Sequence, residues 1–221
     1  MAAIFTRDDD EVMYEDPDKD IRQLVMEYKD ALDGADLDGV DLHGLDLSGA
    51  DLSGAWLFGV DLSDTRLEGA YLDQAYMESV DLEGADLTGA RINDTDLKNA
   101  HARRATFTGA DLTGADLSYA DLSDARLEGA NLTGACINGA NLRGADLTGA
   151  CLRSADLRGS RLKGASLADS DLTDAHLSGM DLRSTTLTGA RLDGAWLDFA
   201  QLPTPDPAVP PADAATPGMG I

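Results

Sequence analysis

Positive charge is what this 221-residue chain has least of: 17 Lys and Arg stand against 41 Asp and Glu, for a net charge of −24. Such a balance argues against direct nucleic-acid binding, which needs cations to neutralise phosphates, and favours a basic partner. Histidine is scarce as well, with only His43, His101 and His176. The two cysteines, Cys136 and Cys151, read as free outward thiols in a reducing cytoplasm rather than as a disulfide framework. No uninterrupted apolar run is long enough to span a membrane, and the opening Met-Ala-Ala-Ile-Phe-Thr-Arg runs into acids without the apolar core of a signal peptide. Those absences predict a soluble cytoplasmic protein that does not engage a membrane. Between Asp18 and Leu202 there is no proline, whereas six of the seven prolines lie between 203 and 217. Backbone pairing therefore stops after Leu202, because proline cannot donate to a β-ladder.

What is present is a five-residue beat, heard clearly in Ala110-Asp111-Leu112-Thr113-Gly114 and unbroken from Ala35 to Leu202. Of the 34 positions ending in 2 or 7 from Leu37 onward, 29 are Leu, and the exceptions are Met77, Ile92, Ala102, Phe107 and Ile137. Two residues before each of these the residue is Ala in 24 of 34 cases, with Val40, Leu45, Thr65, Ser160 and Met180 among the others, and 21 of the 23 glycines fall at numbers ending in 4 or 9. A period of five matches neither the 3.6 of a helix nor the 2.0 of a flat strand. It requires a chain that turns a corner every five residues, with Leu and Ala inward and Gly supplying positive φ at the bend. Four corners close a square coil.

This phrase resembles the motif of the pentapeptide-repeat family: Ala, Asp or Asn, Leu, any residue, Gly. The resemblance covers residues 35–202 and implies an all-β solenoid, a right-handed quadrilateral β-helix of about 8.5 coils. At the stacking distance of β-strands, roughly 4.8 Å, the rod is on the order of 40 Å long. The sequence resembles the family branch that mimics DNA and confers quinolone resistance, although the projecting loops often found in that branch have no place here.

The flanks divide the chain further. Residues 1–15 read as an acidic flexible segment. Residues 16–34 read as an amphipathic helix with Asp16 as N-cap, Pro17 in the first turn, a stripe of Ile21, Leu24, Val25, Tyr28 and Leu32, and Gly34 just past its end. A helix directly before a solenoid serves to cap the open core and unpaired edge of the first coil. Residues 203–221 read as a Pro-rich flexible tail. Within the rod, Ala102 breaks the inward Leu series and Phe107 in the next phrase supplies compensating volume, with Arg103 and Arg104 a local basic contact as the alternative.

Catalysis finds no support, and no metal or cofactor site is expected. His43 and His101 share a face three coils apart, roughly 14 Å at the stacking distance, too far for common ligation. The glycines mark corners rather than phosphate loops, and a filled square core leaves no cleft. The informative surface position is the residue just before each inward Leu, which is Asp in 15 of 34 phrases. Asp or Asn there can bond backbone at the bend, and Asn would do so without charge. The acid is concentrated early: residues 31–100 hold sixteen acids and three bases, residues 151–202 seven and six. Over residues 35–100, roughly 16 Å of rod, fifteen acids and three bases leave −12, where duplex DNA of that length carries roughly nine charges. The resemblance and this density together nominate a type II topoisomerase, DNA gyrase or topoisomerase IV, as partner. Asp36, Asp41, Asp61, Asp81 and Glu83 are the candidate contacts, with Trp56 and Phe58 as exposed anchors. An interaction scaffold with another partner, its acidity serving solubility or a high-salt cytoplasm, is the alternative. Trp196 and Phe199 near the last coil are candidates for a homodimer contact at the C-terminal end, a mode the resemblance implies.

Overall fold

A computed structural model describes residues 2–7 and 11–203. The tail expected over 203–221 lies outside the described residues from 204 onward. From Asp36 to Asp181 every fifth residue pairs in parallel with the residue 20 further on, as in Asp41 with Asp61 and Asp61 with Asp81, with the single exception of Arg161. A 20-residue coil with four paired sides is thus the repeating unit, and the sides can be named after their first outward residue as the Asp36, Asp41, Asp46 and Asp51 faces. Each rung is made by backbone bonds in both directions: Leu62 N–H donates to the Asp81 carbonyl at 2.8 Å, and Asp81 N–H donates to the Val60 carbonyl at 2.9 Å.

The inward assignment holds throughout. Every position ending in 2 or 7 from Leu37 to Leu182 is buried, and these residues with their small neighbours form one continuous core. Ala102 and Phe107 are both fully enclosed in it, so the missing Leu leaves no opening to solvent. Corner residues take positive φ, including non-glycines such as Asp64 (φ 54°), Arg104 (φ 58°) and Tyr119 (φ 62°). Gly84 (φ 70°) has a second reason to lack a side chain: a Cβ there would lie 2.5 Å from the Asp64 carboxylate in the coil before it.

The N-terminal segment differs from the expectation. β1 (Ala2–Thr6) and β2 (Val12–Asp16) form an antiparallel hairpin, and β1 also pairs antiparallel with β3 (Ala35–Asp36), the first strand of the rod. Flexibility over 1–15 is therefore not what the structure shows for these two strands. The edge of the first coil offers unpaired backbone, and β1 takes it up, a non-local pairing that local composition does not reveal. The helix α1 runs Ile21–Tyr28 and continues as a 3-10 turn over Lys29–Ala31. Its N-cap is Asp20, whose side chain accepts from Gln23 N–H while the Gln23 side-chain oxygen accepts from Asp20 N–H. Asp16 instead accepts from Asp18 N–H across Pro17, closing the turn that ends β2. Leu24, Val25 and Leu32 are buried and continuous with the rod core, so helix and hairpin together cover the first coil. Among the described residues nothing comparable covers the far end: Leu187, Leu192 and Leu197 are half-buried and Leu202 is exposed. Among the described residues no helix is long and apolar enough to cross a membrane.

Candidate functional site

The aspartates before the inward leucines owe their position to a local bond. In phrase after phrase Oδ1 accepts from the backbone N–H two residues on, as Asp41 does from His43 (2.9 Å), Asp61 from Ser63 (2.9 Å) and Asp81 from Glu83 (2.9 Å). In most phrases where that residue is Ser or Thr its hydroxyl adds a second donor, as in Asp86 with Thr88 and Asp111 with Thr113, whereas the Ser118 hydroxyl turns to Cys136 Sγ instead. The Ser63 hydroxyl, ahead of the backbone bond, holds the Asp61 carboxyl below the usual carboxylate range. Asn131 performs the same bond without charge, accepting from Thr133 N–H at 3.2 Å.

The Asp41 face carries the acid row itself. Asp41, Asp61 and Asp81 stack on consecutive coils, with Glu83 beside Asp81. Both ends of the row are partly neutralised: Arg22 of α1 reaches Asp41 at 3.0 Å, and Arg104 pairs with Glu83 at 2.5 Å. Asp61, in the middle, is exposed and has no ion-pair partner among the described residues. Arg22 also donates to the His43 carbonyl, which ties helix and row together.

Asp36, Trp56 and Phe58 sit on a different face. Asp36 and Asp38 share the Arg7 guanidinium, at 2.9 and 2.8 Å. Trp56 is only half-exposed, because Arg7 lies 4.6 Å above its ring centroid and Tyr76, one coil further on, stacks on it at 4.0 Å. Of the two expected aromatic anchors only Phe58 stands free, at 53% exposure. The five acids therefore divide into a stacked row of three with Glu83 beside it and a separate Asp36 engaged by Arg7. Tyr76 was findable, since it follows Trp56 by one full coil. Arg7 was not, because it lies outside the repeat and nothing periodic points to it.

At the C-terminal end Trp196 (56% exposed) stacks on His176 at 5.0 Å, and Phe199 is almost fully exposed (94%) at a corner. Neither shares a face with the acid row. Cys136 and Cys151 are both free thiols. Among the described residues no group of His, Cys, Asp and Glu converges on a metal-binding arrangement.

Comparison with known proteins matches the rod to the family described as pentapeptide repeats, over residues 31–64, 55–94, 90–129, 125–164 and 165–198. No match was found among curated proteins. Similar solved structures include a trypsin-treated variant of QnrB1, a plasmid-mediated fluoroquinolone resistance protein, at 31% identity over 67% of this chain and 77% of that one, with a TM-score of 0.46. Another is HetL, involved in heterocyst differentiation regulation in the cyanobacterium Nostoc sp. strain PCC 7120, at 34% identity over 76% and 89% with a TM-score of 0.26. A third is a pentapeptide repeat protein of the Arabidopsis thaliana thylakoid lumen, at 33% identity over 58% and 68% with a TM-score of 0.24. With the five-residue beat, the 20-residue coil and the repeat match in agreement, the chain belongs to the pentapeptide-repeat family, whose fold is the right-handed quadrilateral β-helix.

Proposed function

We propose that the protein is a non-enzymatic binding rod whose N-terminal half imitates the charge of duplex DNA and occupies the cationic DNA-binding surface of a type II topoisomerase, protecting that enzyme from its inhibitors. The observation that carries this reading is the row Asp41, Asp61 and Asp81, stacked on consecutive coils of one face, with Glu83 beside Asp81. The structure adjusts the charge count. Residues 35–100 hold fifteen acids and three bases, and Arg7, Arg22 and Arg104 join from outside, which leaves −9. Duplex DNA of that length, roughly 16 Å, carries about nine charges, so the segment matches DNA rather than exceeding it. Phe58 supplies an apolar contact on the neighbouring Asp36 face. Two copies joined through Trp196 and Phe199 would lengthen the rod.

A gyrase supercoiling and drug-stabilised cleavage assay tests the reading, with protein titrated at two salt concentrations. Inhibition of both activities, weaker at the higher salt, is expected. No effect on either at molar excess of protein rules out the topoisomerase partner. Inhibition that survives the combined change of Asp41, Asp61 and Asp81 to Asn rules out the acid row and leaves the partner standing.

A second reading is favoured by the aspartate bonds to backbone. If these acids are present to lock corners and keep the rod soluble, the protein is an interaction scaffold for a different partner. That reading expects no salt-dependent gyrase effect.

A further inference from the structure

Only one rung is missing from the ladder between Asp36 and Asp181, and it lies on the Asp41 face between Arg161 and Asp181. Elsewhere on this face Leu142 N–H donates to the Arg161 carbonyl and Arg161 N–H to the Ala140 carbonyl, both at 2.9 Å. One coil later, among the described residues, the corresponding bonds from Leu162 N–H to Asp181 and from Asp181 N–H to Ser160 are absent, as is that from Gly159 N–H to Ser178. Gly164 N–H pairs with Ser184 rather than with Arg183, a slip of one residue. Ser184 is also the corner of this face that lacks the positive φ taken at Gly44, Asp64, Gly84, Arg104, Asp124, Gly144 and Gly164.

At the break lies a cleft of about 580 Å³ lined by Arg143, Arg161, Lys163 and Arg183, by Leu162 and the single acid Asp181, and by Ser160 and Ser184, of which Ser160 already donates its hydroxyl to the Leu157 carbonyl. Arg183 is held by Asp181 at 2.7 Å. Among the described residues Arg143, Arg161 and Lys163 form no ion pair, although the chain has 41 acids to offer them. Three cations without an ion pair among the described residues thus coincide with the one missing rung, where the Leu162 and Asp181 N–H groups have lost the carbonyl partners their equivalents keep on the coils before. Guanidinium forks, an ammonium, hydroxyls and free amides are the donor set that phosphate oxygens accept from.

We propose that this cleft is a binding site for a phosphate-bearing ligand, distinct from the acidic row at the other end of the same face. Arg143, Arg161 and Lys163 supply the charge, and the Leu162 and Asp181 amides fix the oxygens. The shared chemistry is a chain of two or more phosphates, carried either by free polyphosphate or by a nucleotide.

Titration of the full chain with tripolyphosphate and, separately, with adenosine triphosphate, followed by calorimetry and by amide chemical shifts, tests the proposal. Saturable binding is expected, with shifts concentrated at Gly159, Leu162 and Asp181. Affinity should fall about tenfold for each of Arg161→Gln and Lys163→Gln, the loss of a charge-assisted bond. Arg66→Gln, on another face, should leave it unchanged. Tighter binding of the nucleotide identifies a nucleotide source, and equal binding identifies the phosphate chain alone; either result supports the site. Ser184→Gly, which frees the corner to take positive φ, should close the ladder and weaken binding. The proposal is overturned by failure to saturate at about millimolar ligand, by equal losses in Arg66→Gln and Arg161→Gln, or by shifts scattered over all the arginines.

Discussion

Asp61 holds its corner through one carboxylate oxygen and presents the other to solvent, so shape and charge can be separated at a single atom. Asn131 already shows that an amide oxygen makes the same pair of bonds, to Thr133 N–H at 3.2 Å and to its hydroxyl at 2.7 Å. Asp61→Asn is therefore expected to leave the unfolding free energy within about 0.5 kcal/mol of the parent, whereas Asp61→Ala should cost about 1 kcal/mol for the lost bonds. Urea denaturation of both variants decides this. Equal destabilisation would mean that the charge, not the turn, is what the fold needs. Acid sensitivity belongs to the same scale. The Arg158 guanidinium holds the Asp156 carboxyl down to about 2, and the Arg183 guanidinium does the same for Asp181. An unfolded aspartate titrates near 3.9, so the stabilisation from these groups is complete above about pH 4 and is lost as the pH falls through about 2. Asp156→Asn should flatten the pH dependence of stability within that window and leave it unchanged near neutrality, apart from a constant offset. A steeper dependence in the variant contradicts the assignment.

At the scale of elements, the rod was legible and its lid only partly so. Inward Leu and Ala announce themselves because every coil repeats the same environment, so thirty-odd phrases vote on one assignment. Helix α1 was legible through its apolar stripe, but its start was displaced. Asp16-Pro17 and Asp20 both carry N-cap chemistry, and the reciprocal partner three residues on, Gln23, belongs to Asp20. Strands β1 and β2 gave no such signal, since β1 exists by pairing with β3 some thirty residues later. The candidate site shows the same division. The stacking of Asp41, Asp61 and Asp81 follows from the period alone, while the covering of Trp56 by Arg7 and the capture of Asp41 by Arg22 come from outside it. If the hairpin and helix are the seal of the first coil, loosening the helix must expose core. Leu24, fully buried and continuous with the rod core, is the residue that tests this. Leu24→Ala is expected to cost about 2–5 kcal/mol, as for other enclosed leucines, against about 1 kcal/mol for Asp20→Ala at the cap. Chemical denaturation gives both values. A cost for Leu24→Ala no larger than for the cap variant would show that the helix rests on the rod without sealing it.

On the scale of the whole molecule, a solenoid has no centre on which distant parts converge. Each coil is stabilised by its two neighbours, so the terminal coils are the weak points unless something covers them. At the N-terminal end the first coil gains a partner strand from β1 and apolar cover from Leu24, Val25 and Leu32. The last described coil has a neighbour on one side only, and its inward residues show the result: Leu187, Leu192 and Leu197 are half-buried and Leu202 is exposed, while Leu82, Leu112 and Leu142 are enclosed. The missing rung at Arg161 lies one coil inside that end and removes three of the bonds that would couple the last coils to the rest. Opening should therefore begin at the C-terminal side and run inward. Native-state hydrogen exchange is expected to show the least protection over residues 183–202, a step at the Gly159–Leu162 segment, and the strongest protection between Leu82 and Leu142. The capped N-terminal coils should be better protected than the C-terminal ones despite carrying more uncompensated acid. Protection that is uniform along the rod would mean that the solenoid opens as one unit. Protection that is weakest over residues 35–60 would mean that acid repulsion, rather than missing neighbours, decides where the rod opens.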